Sequence, residues 1–224
     1  MPQKKSKRIF IYILLFLIIG SLNNKNLNNI DFSKISKVNV LGLSNDDNFK
    51  LENNLMSLKI NNLFLLNDLK VEEVINSNNL VEEYSVFKEY PSTLNVKILK
   101  TKFLAKIKRD KKDFFLGSNG KLTKATSKKK NIPFIFGDFK NKNFFELKMI
   151  IDESNLDYSD IRNLFYFQTG RWDIETNSGL LIKLPKENLR GSLKFVTQIL
   201  SEDNKNQIVE IDLRQKNQII LNEQ

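Results

Sequence analysis

The chain contains no cysteine and no histidine. Without cysteine there is no disulfide framework and no thiolate metal site. Without histidine, every Ser–His, Cys–His or histidine-relay mechanism is excluded, because the proton carrier itself is missing. An enzyme made from this chain would have to use Asp, Glu, Lys, Ser or Tyr alone. Three stretches carry the Ser-x-x-Lys spacing: Ser85 to Lys88, Ser118 to Lys121 and Ser127 to Lys130. On a helix that spacing lets a lysine amine activate a serine hydroxyl. The first falls on an expected strand, where positions three apart point to opposite faces. The second falls in a glycine turn and the third in a charged loop. No Ser-Asp-Asn or Lys-Thr-Gly accompanies them. No catalytic residue, cofactor, metal or small-molecule substrate is therefore expected.

What is present is a chain of 224 residues, 41% hydrophobic and 28% charged, enough to fold as one large or two small domains. The net charge of +10 suits anionic surroundings such as nucleic acid, lipid headgroups or wall polymer. Lysine outnumbers arginine and asparagine is abundant, which an AT-rich genome also produces. Lys111-Lys112 and Lys128-Lys129-Lys130 read as solvated loops, or as patches attracted to anionic headgroups and screened by salt. No aromatics interleave them and no groove-reading motif is visible, so nucleic acid is not an expected partner. The acid pairs Asp46-Asp47, Glu72-Glu73 and Glu82-Glu83 fall at helix starts or on solvent faces, where the helix dipole is reason enough for those at helix starts.

Residues 1–8 carry Lys4, Lys5, Lys7 and Arg8, and the apolar run Ile9–Leu22 follows them. This is the pattern of an export signal, and no obvious cleavage site follows it. The expectation is an uncleaved transmembrane anchor at 9–22, short for a span and helped by snorkelling lysines and a locally thinned bilayer. The basic flank would stay cytoplasmic and the rest would be exported.

Residues 23–34 read as a linker. Val38 and Val40 alternate with polar neighbours and Gly42 ends that strand. Ser44 is placed to cap a helix through Leu51 and Leu55, and Asp68 to cap a second helix carrying Val71, Val74 and Ile75. Phe64–Leu66 reads as extended. Strands Val81–Phe87 and Leu94–Leu99 follow, separated by a turn carrying Pro91. Further on, Asn143 is placed to cap a helix with Phe144, Leu147, Ile150 and Ile151 on its apolar face. Trp172 and Ile174 alternate with Asp173 and Glu175, which places Trp172, and one of Phe165 and Phe167, in the core. Leu189, Leu193, Val196, Ile199 and Leu200 form the stripe of another helix. Val209, Ile211 and Leu213 alternate as a strand, Gln215-Lys216-Asn217 can turn the chain, and Ile219–Leu221 reads as a second strand with an open edge.

The order strand, helix, helix, strand, strand, with VEEYSV at 81–86, YPSTL at 90–94 and Val96–Ile98, resembles a POTRA domain of the FtsQ/DivIB family of bacterial cell-division proteins. Phe114–Gly120, Ile132–Gly137, the Trp172 hairpin turned at Asn177-Ser178-Gly179, and Ile211-Asp212-Leu213-Arg214 are similar to that family's second domain. At Lys100–Ala105 the family's acidic residue and proline are missing. The resemblance implies an α+β protein: a single transmembrane helix, a β-α-α-β-β POTRA domain at 35–102, and a mixed α/β domain with an extended antiparallel sheet at 103–224.

It also implies a non-catalytic divisome scaffold in the inner membrane at the septum, with its N-terminus cytoplasmic and its domains periplasmic. Its partners would be FtsB- and FtsL-like proteins at the last strands and an FtsK-like protein at the POTRA domain. Carried over by position, the FtsB-type edge falls on Arg214, Gln215, Lys216, Asn217, Gln218, Ile219 and Ile220, with Arg171 as a further contact. Gln215 stands where the family often has an aromatic residue. The alternative is another membrane-tethered POTRA adaptor or export chaperone.

Overall fold

The computed structural model describes residues 3–22, 34–58, 62–125, 131–201, 208–215 and 218–223. The chain opens with helix α1, Gln3–Leu22. Its basic residues occupy the first turns, so the apolar run from Ile9 to Leu22 rises only about 21 Å, against about 30 Å of bilayer hydrocarbon. Among the described residues no helix is long and apolar enough to cross a membrane. The expected span at 9–22 is thus present as a helix but falls short of an ordinary span.

The first folded unit runs β1 (Lys37–Leu41), α2 (Asn45–Met56), α3 (Asp68–Asn76), β2 (Val81–Glu89) and β3 (Thr93–Lys100). Its sheet has the order β1-β3-β2, with β1 parallel and β2 antiparallel to the central strand. The helix–helix crossover makes the parallel pair possible. Ser44 accepts the Asp47 amide and starts α2 as expected. Asn67, rather than Asp68, caps α3, accepting the Leu69 and Lys70 amides; Asp68 is the first helical residue. Leu51 and Leu55, one turn apart, pack with Val71 and Ile75 against Val40, Leu94 and Val96. Gly42 has φ +119°, and a Cβ there would lie 1.9 Å from the Ile98 carbonyl oxygen, so glycine is required where β1 leaves the sheet.

The second unit has strands β4 (Phe103–Arg109), β5 (Lys112–Gly117), β6 (Leu122–Lys124), β7 (Phe134–Phe136), β8 (Ile161–Tyr166), β9 (Trp172–Thr176), β10 (Leu181–Lys183), β11 (Ile208–Asp212) and β12 (Ile220–Glu223). Helix α4 (Asn141–Glu153) lies between β7 and β8, and α5 (Leu189–Ser201) between β10 and β11. The nine strands form one sheet in the order β12-β11-β10-β9-β8-β7-β4-β5-β6. It is mixed and not simply antiparallel, because β4/β7, β7/β8 and β10/β11 are parallel. The last two parallel pairs each need a crossover, and α4 and α5 supply them. Phe144, Leu147 and Ile151 of α4 and Leu193 and Val196 of α5 bury against Ile107, Leu164, Ile174, Ile182 and Ile211. At the start of α4, Asn143 accepts the Lys140 amide from inside the helix, so it completes the cap and is not the cap residue itself.

Trp172 is core, as expected. Neither phenylalanine joins it. Phe165 stacks on Phe136 at 5.1 Å on the opposite face, and Phe167 lies under the Arg171 guanidinium at 4.2 Å. The two hydrophobic cores share no member. A polar seam joins them: Asn119 Nδ2 donates to the carbonyls of Asn79 and Val81 at 3.0 and 2.8 Å, and Ser118 Oγ donates to Glu82 at 2.6 Å. Ser118 and Lys121 are therefore spent on structure, Lys121 donating to the Asn76 carbonyl. The Ser-x-x-Lys stretch at 127–130 lies outside the described residues.

Candidate partner-binding site

Strand β12 is one edge of the nine-stranded sheet, paired antiparallel with β11 through Ile211↔Leu221 and Asp212↔Ile220. All four of its residues are exposed. Among the described residues no strand covers its outer side, which leaves main-chain donors and acceptors free to pair.

Beside it, the sheet face away from the helices carries a ladder of charge. Asp173 of β9 lies opposite Lys183 of β10, which lies opposite Asp212 of β11. Both aspartates are 5% exposed. Each is held by an arginine two residues away. Arg171 Nε donates to Asp173 at 3.2 Å, and Arg214 Nε donates to both oxygens of Asp212 at 2.9 Å. Lys183 Nζ reaches Glu210 at 2.7 Å. β9 is antiparallel to β10 and β10 parallel to β11, so Arg171 before Asp173 and Arg214 after Asp212 come to the same end of the ladder.

The two aspartates differ in protonation balance. Burial pushes the Asp173 carboxyl up from its ordinary value, and the Arg171, Arg214 and Lys183 charges oppose that rise. The Arg214 hydrogen bond holds the Asp212 carboxyl below the ordinary range despite its burial. Each guanidinium has five N–H donors and spends only some of them here, so both can still donate to a carboxylate from outside.

On the other side of Arg214 lies a groove of about 800 Å³ between the start of α5 and the segment joining β11 to β12. Pro185, Phe195, Leu213, Arg214, Gln215 and Ile219 are among its lining. The lining is mixed, with Lys186, Glu187, Asn188 and Gln218 beside the apolar residues, and Gln218 and Ile219 lead from it into the sheet edge. The arrangement offers main-chain pairing, a groove of mixed polarity and two ion-paired arginines with donors to spare to an extended segment. It offers no nucleophile–base pair, and no cluster of metal-ligating residues occurs among the described residues.

Of the residues expected at the edge, Arg214, Gln215, Gln218 and Ile219 line this groove, and Ile220 begins β12. The true strand continues to Glu223, so most of the expected stretch is the loop leading into the edge. Lys216 and Asn217 lie outside the described residues. Arg171 is brought to the same face as Arg214. Sequence reasoning missed Asp173, Lys183, Asp212 and Phe195. Asp173 alternates with Trp172 and so resembled a solvated position; only the strand register reveals its partners.

Residues 33–100 match the family description "POTRA domain, FtsQ-type", and residues 105–214 match "Cell division protein FtsQ/DivIB, C-terminal". The chain belongs to the FtsQ/DivIB family of cell-division proteins. A curated relative, the cell division protein FtsQ of Rickettsia bellii (strain RML369-C), is 24% identical over 190 residues, covering 82% of this chain and 70% of that protein. A solved structure of the major extracytoplasmic domain of DivIB from Geobacillus stearothermophilus shares 15% identity at a TM-score of 0.35, covering 47% of this chain and 96% of that one. In this FtsQ/DivIB protein, Arg171, Asp173, Lys183, Asp212 and Arg214 all fall inside the matched span, whereas Gln215 to Glu223 lie beyond it. The edge strand β12 itself lies outside the family match.

Proposed function

We propose that this FtsQ/DivIB protein is a non-catalytic scaffold of the division machinery. Its β12 edge accepts an added strand from an FtsB-like partner, itself paired with an FtsL-like protein. The observation that carries this reading is the open edge beside the groove, with Arg171 and Arg214 at one end. Main-chain bonds would supply affinity, and the groove and arginines would select an acidic segment with an apolar anchor. The POTRA unit, taken as 35–102, would meet earlier division proteins such as an FtsK-like partner, and 103–224 would form the recruiting unit.

We place both units outside the inner membrane at the septum. In this reading α1 is the anchor, with residues 1–8 on the cytoplasmic side. The basic start of α1 and the exposed apolar side chains along it support this, provided the bilayer thins locally or the flanking lysines snorkel.

The test is a pull-down of the partner ectodomains by the full chain in detergent, beside a truncation after Lys216 that removes β12. Capture by the full chain alone supports the edge. Equal capture by both excludes the β12 edge and moves the site to the rest of the second unit or to the POTRA unit.

A further inference from the structure

The stretch Leu63–Leu66 is apolar at every position, yet only its ends are buried. Leu63 and Leu66 enter the first core, while Phe64 is 62% and Leu65 76% exposed. Asn62 is the cause. Its side-chain oxygen accepts the Leu65 amide at 2.8 Å and closes a turn, so the expected extended segment becomes a loop that turns its two middle side chains outward. Leu69, in the first turn of α3, is 75% exposed, and Tyr90 is 55% exposed with its ring 4.8 Å from that of Phe64. The Lys88–Asp68 ion pair at 3.2 Å ties the end of β2 to the start of α3 and gathers these residues into one tip. A single exposed apolar residue needs no explanation, but a cluster does.

The location of the tip names its occupant. The Ser36 amide donates to the Ser92 carbonyl at 2.9 Å, and the two hydroxyls lie 2.9 Å apart. The chain coming from α1 therefore enters the POTRA unit beside the Tyr90–Ser92 turn, at the end that carries the tip. Between Leu22 and Lys34 the chain can reach at most about 40 Å, at roughly 3.3–3.6 Å per residue. A tip at the tethered end is kept within that reach of whatever surface holds α1.

We propose that Phe64, Leu65, Leu69 and Tyr90 form a lipid-docking tip that seats the POTRA unit on the bilayer beside α1. This rests on the reading of α1 as the anchor. Leucine and phenylalanine side chains would enter the boundary between headgroups and acyl chains. The tyrosine would sit at the interface with its hydroxyl in water. Lys70, exposed next to Leu69 in the first turn of α3, would meet anionic headgroups.

The absence of native cysteine makes the test direct. Single variants Leu65→Cys, Ile13→Cys and Gln168→Cys of the full chain would each carry an environment-sensitive fluorophore. They would be reconstituted in phosphatidylethanolamine–phosphatidylglycerol vesicles with a nitroxide on the upper acyl chain. The expected result is a blue shift and loss of emission at 65, comparable to 13, with neither at 168. Phe64→Ser and Leu69→Ser together should abolish the quenching at 65 while the melting curve stays in place. If 13 is quenched and 65 behaves like 168, the lipid tip is wrong and the patch faces a protein partner. If 13 is not quenched, the anchor reading fails and the proposal falls with it.

Discussion

Proline placed in turn at Ile220, Leu221 and Asn222 tests the recruiting edge most directly. In an antiparallel ladder, alternate residues direct both main-chain groups to the same neighbour. About half of the four-residue strand therefore points its N–H and C=O away from β11. An added strand could make about four main-chain bonds there, worth roughly 1 kcal/mol each net, or millimolar binding on their own. The groove with Phe195 and Ile219 must supply the rest.

A proline at an outward-facing position deletes one donor and crowds the incoming strand. We expect it to weaken binding by about 1–3 kcal/mol, roughly 5- to 150-fold in Kd, without loosening the domain. A proline at an inward-facing position breaks the β11–β12 ladder instead, and amide exchange along both strands should rise. Titration calorimetry with the partner ectodomain, paired with hydrogen exchange, separates the two classes. Unchanged affinity at all three positions would refute strand addition, whatever the exchange pattern.

Asp212→Asn should cost about 1 kcal/mol in urea denaturation at pH 7, a modest figure because Arg214 is partly exposed. The Asp212 carboxyl is held below the ordinary aspartate value of 3.8, so its contribution is present above that pH and is lost as pH falls through the depressed value. The difference between variant and parent should accordingly shrink in acid. Gly42→Ala should destabilise the POTRA unit by about 3 kcal/mol, seen as a lowered melting transition, since the clash is with main-chain atoms that cannot step aside. Tyr158 donates its hydroxyl to the Leu104 carbonyl at 2.8 Å, and burial raises its ionisation above that of an exposed tyrosine. In a spectrophotometric titration, the difference between parent and Tyr158→Phe should stay flat near pH 10 and appear only on unfolding.

Features that depend on a few adjacent residues were legible in the sequence. The Ser44 cap, the stripe of α5, the Trp172 hairpin and the β-α-α-β-β order all follow from local hydrogen bonding or from the helix and strand periods. The lack of histidine and cysteine excluded whole classes of chemistry before any fold was known. Local rules erred by a residue where two cap-forming side chains compete, as at Asn67 and Asp68. They also misread Phe64–Leu66, because an apolar run carries no mark of which members a turn will expose.

Only the tertiary structure decided the composition of the site. Strand alternation says that Asp173 and Trp172 face opposite ways, but not which face another strand or side chain will cover. Burial of Asp173 and Asp212 depends on β10 bringing Lys183 between them, and that register is set by the α5 crossover and the core beneath it. The sequence determined the helices and the strands with a clear local period, since those choices are local, and left β4, β7 and β8 unread. The fold decided which charges meet and which edge stays open, since both depend on contacts between residues far apart in the chain.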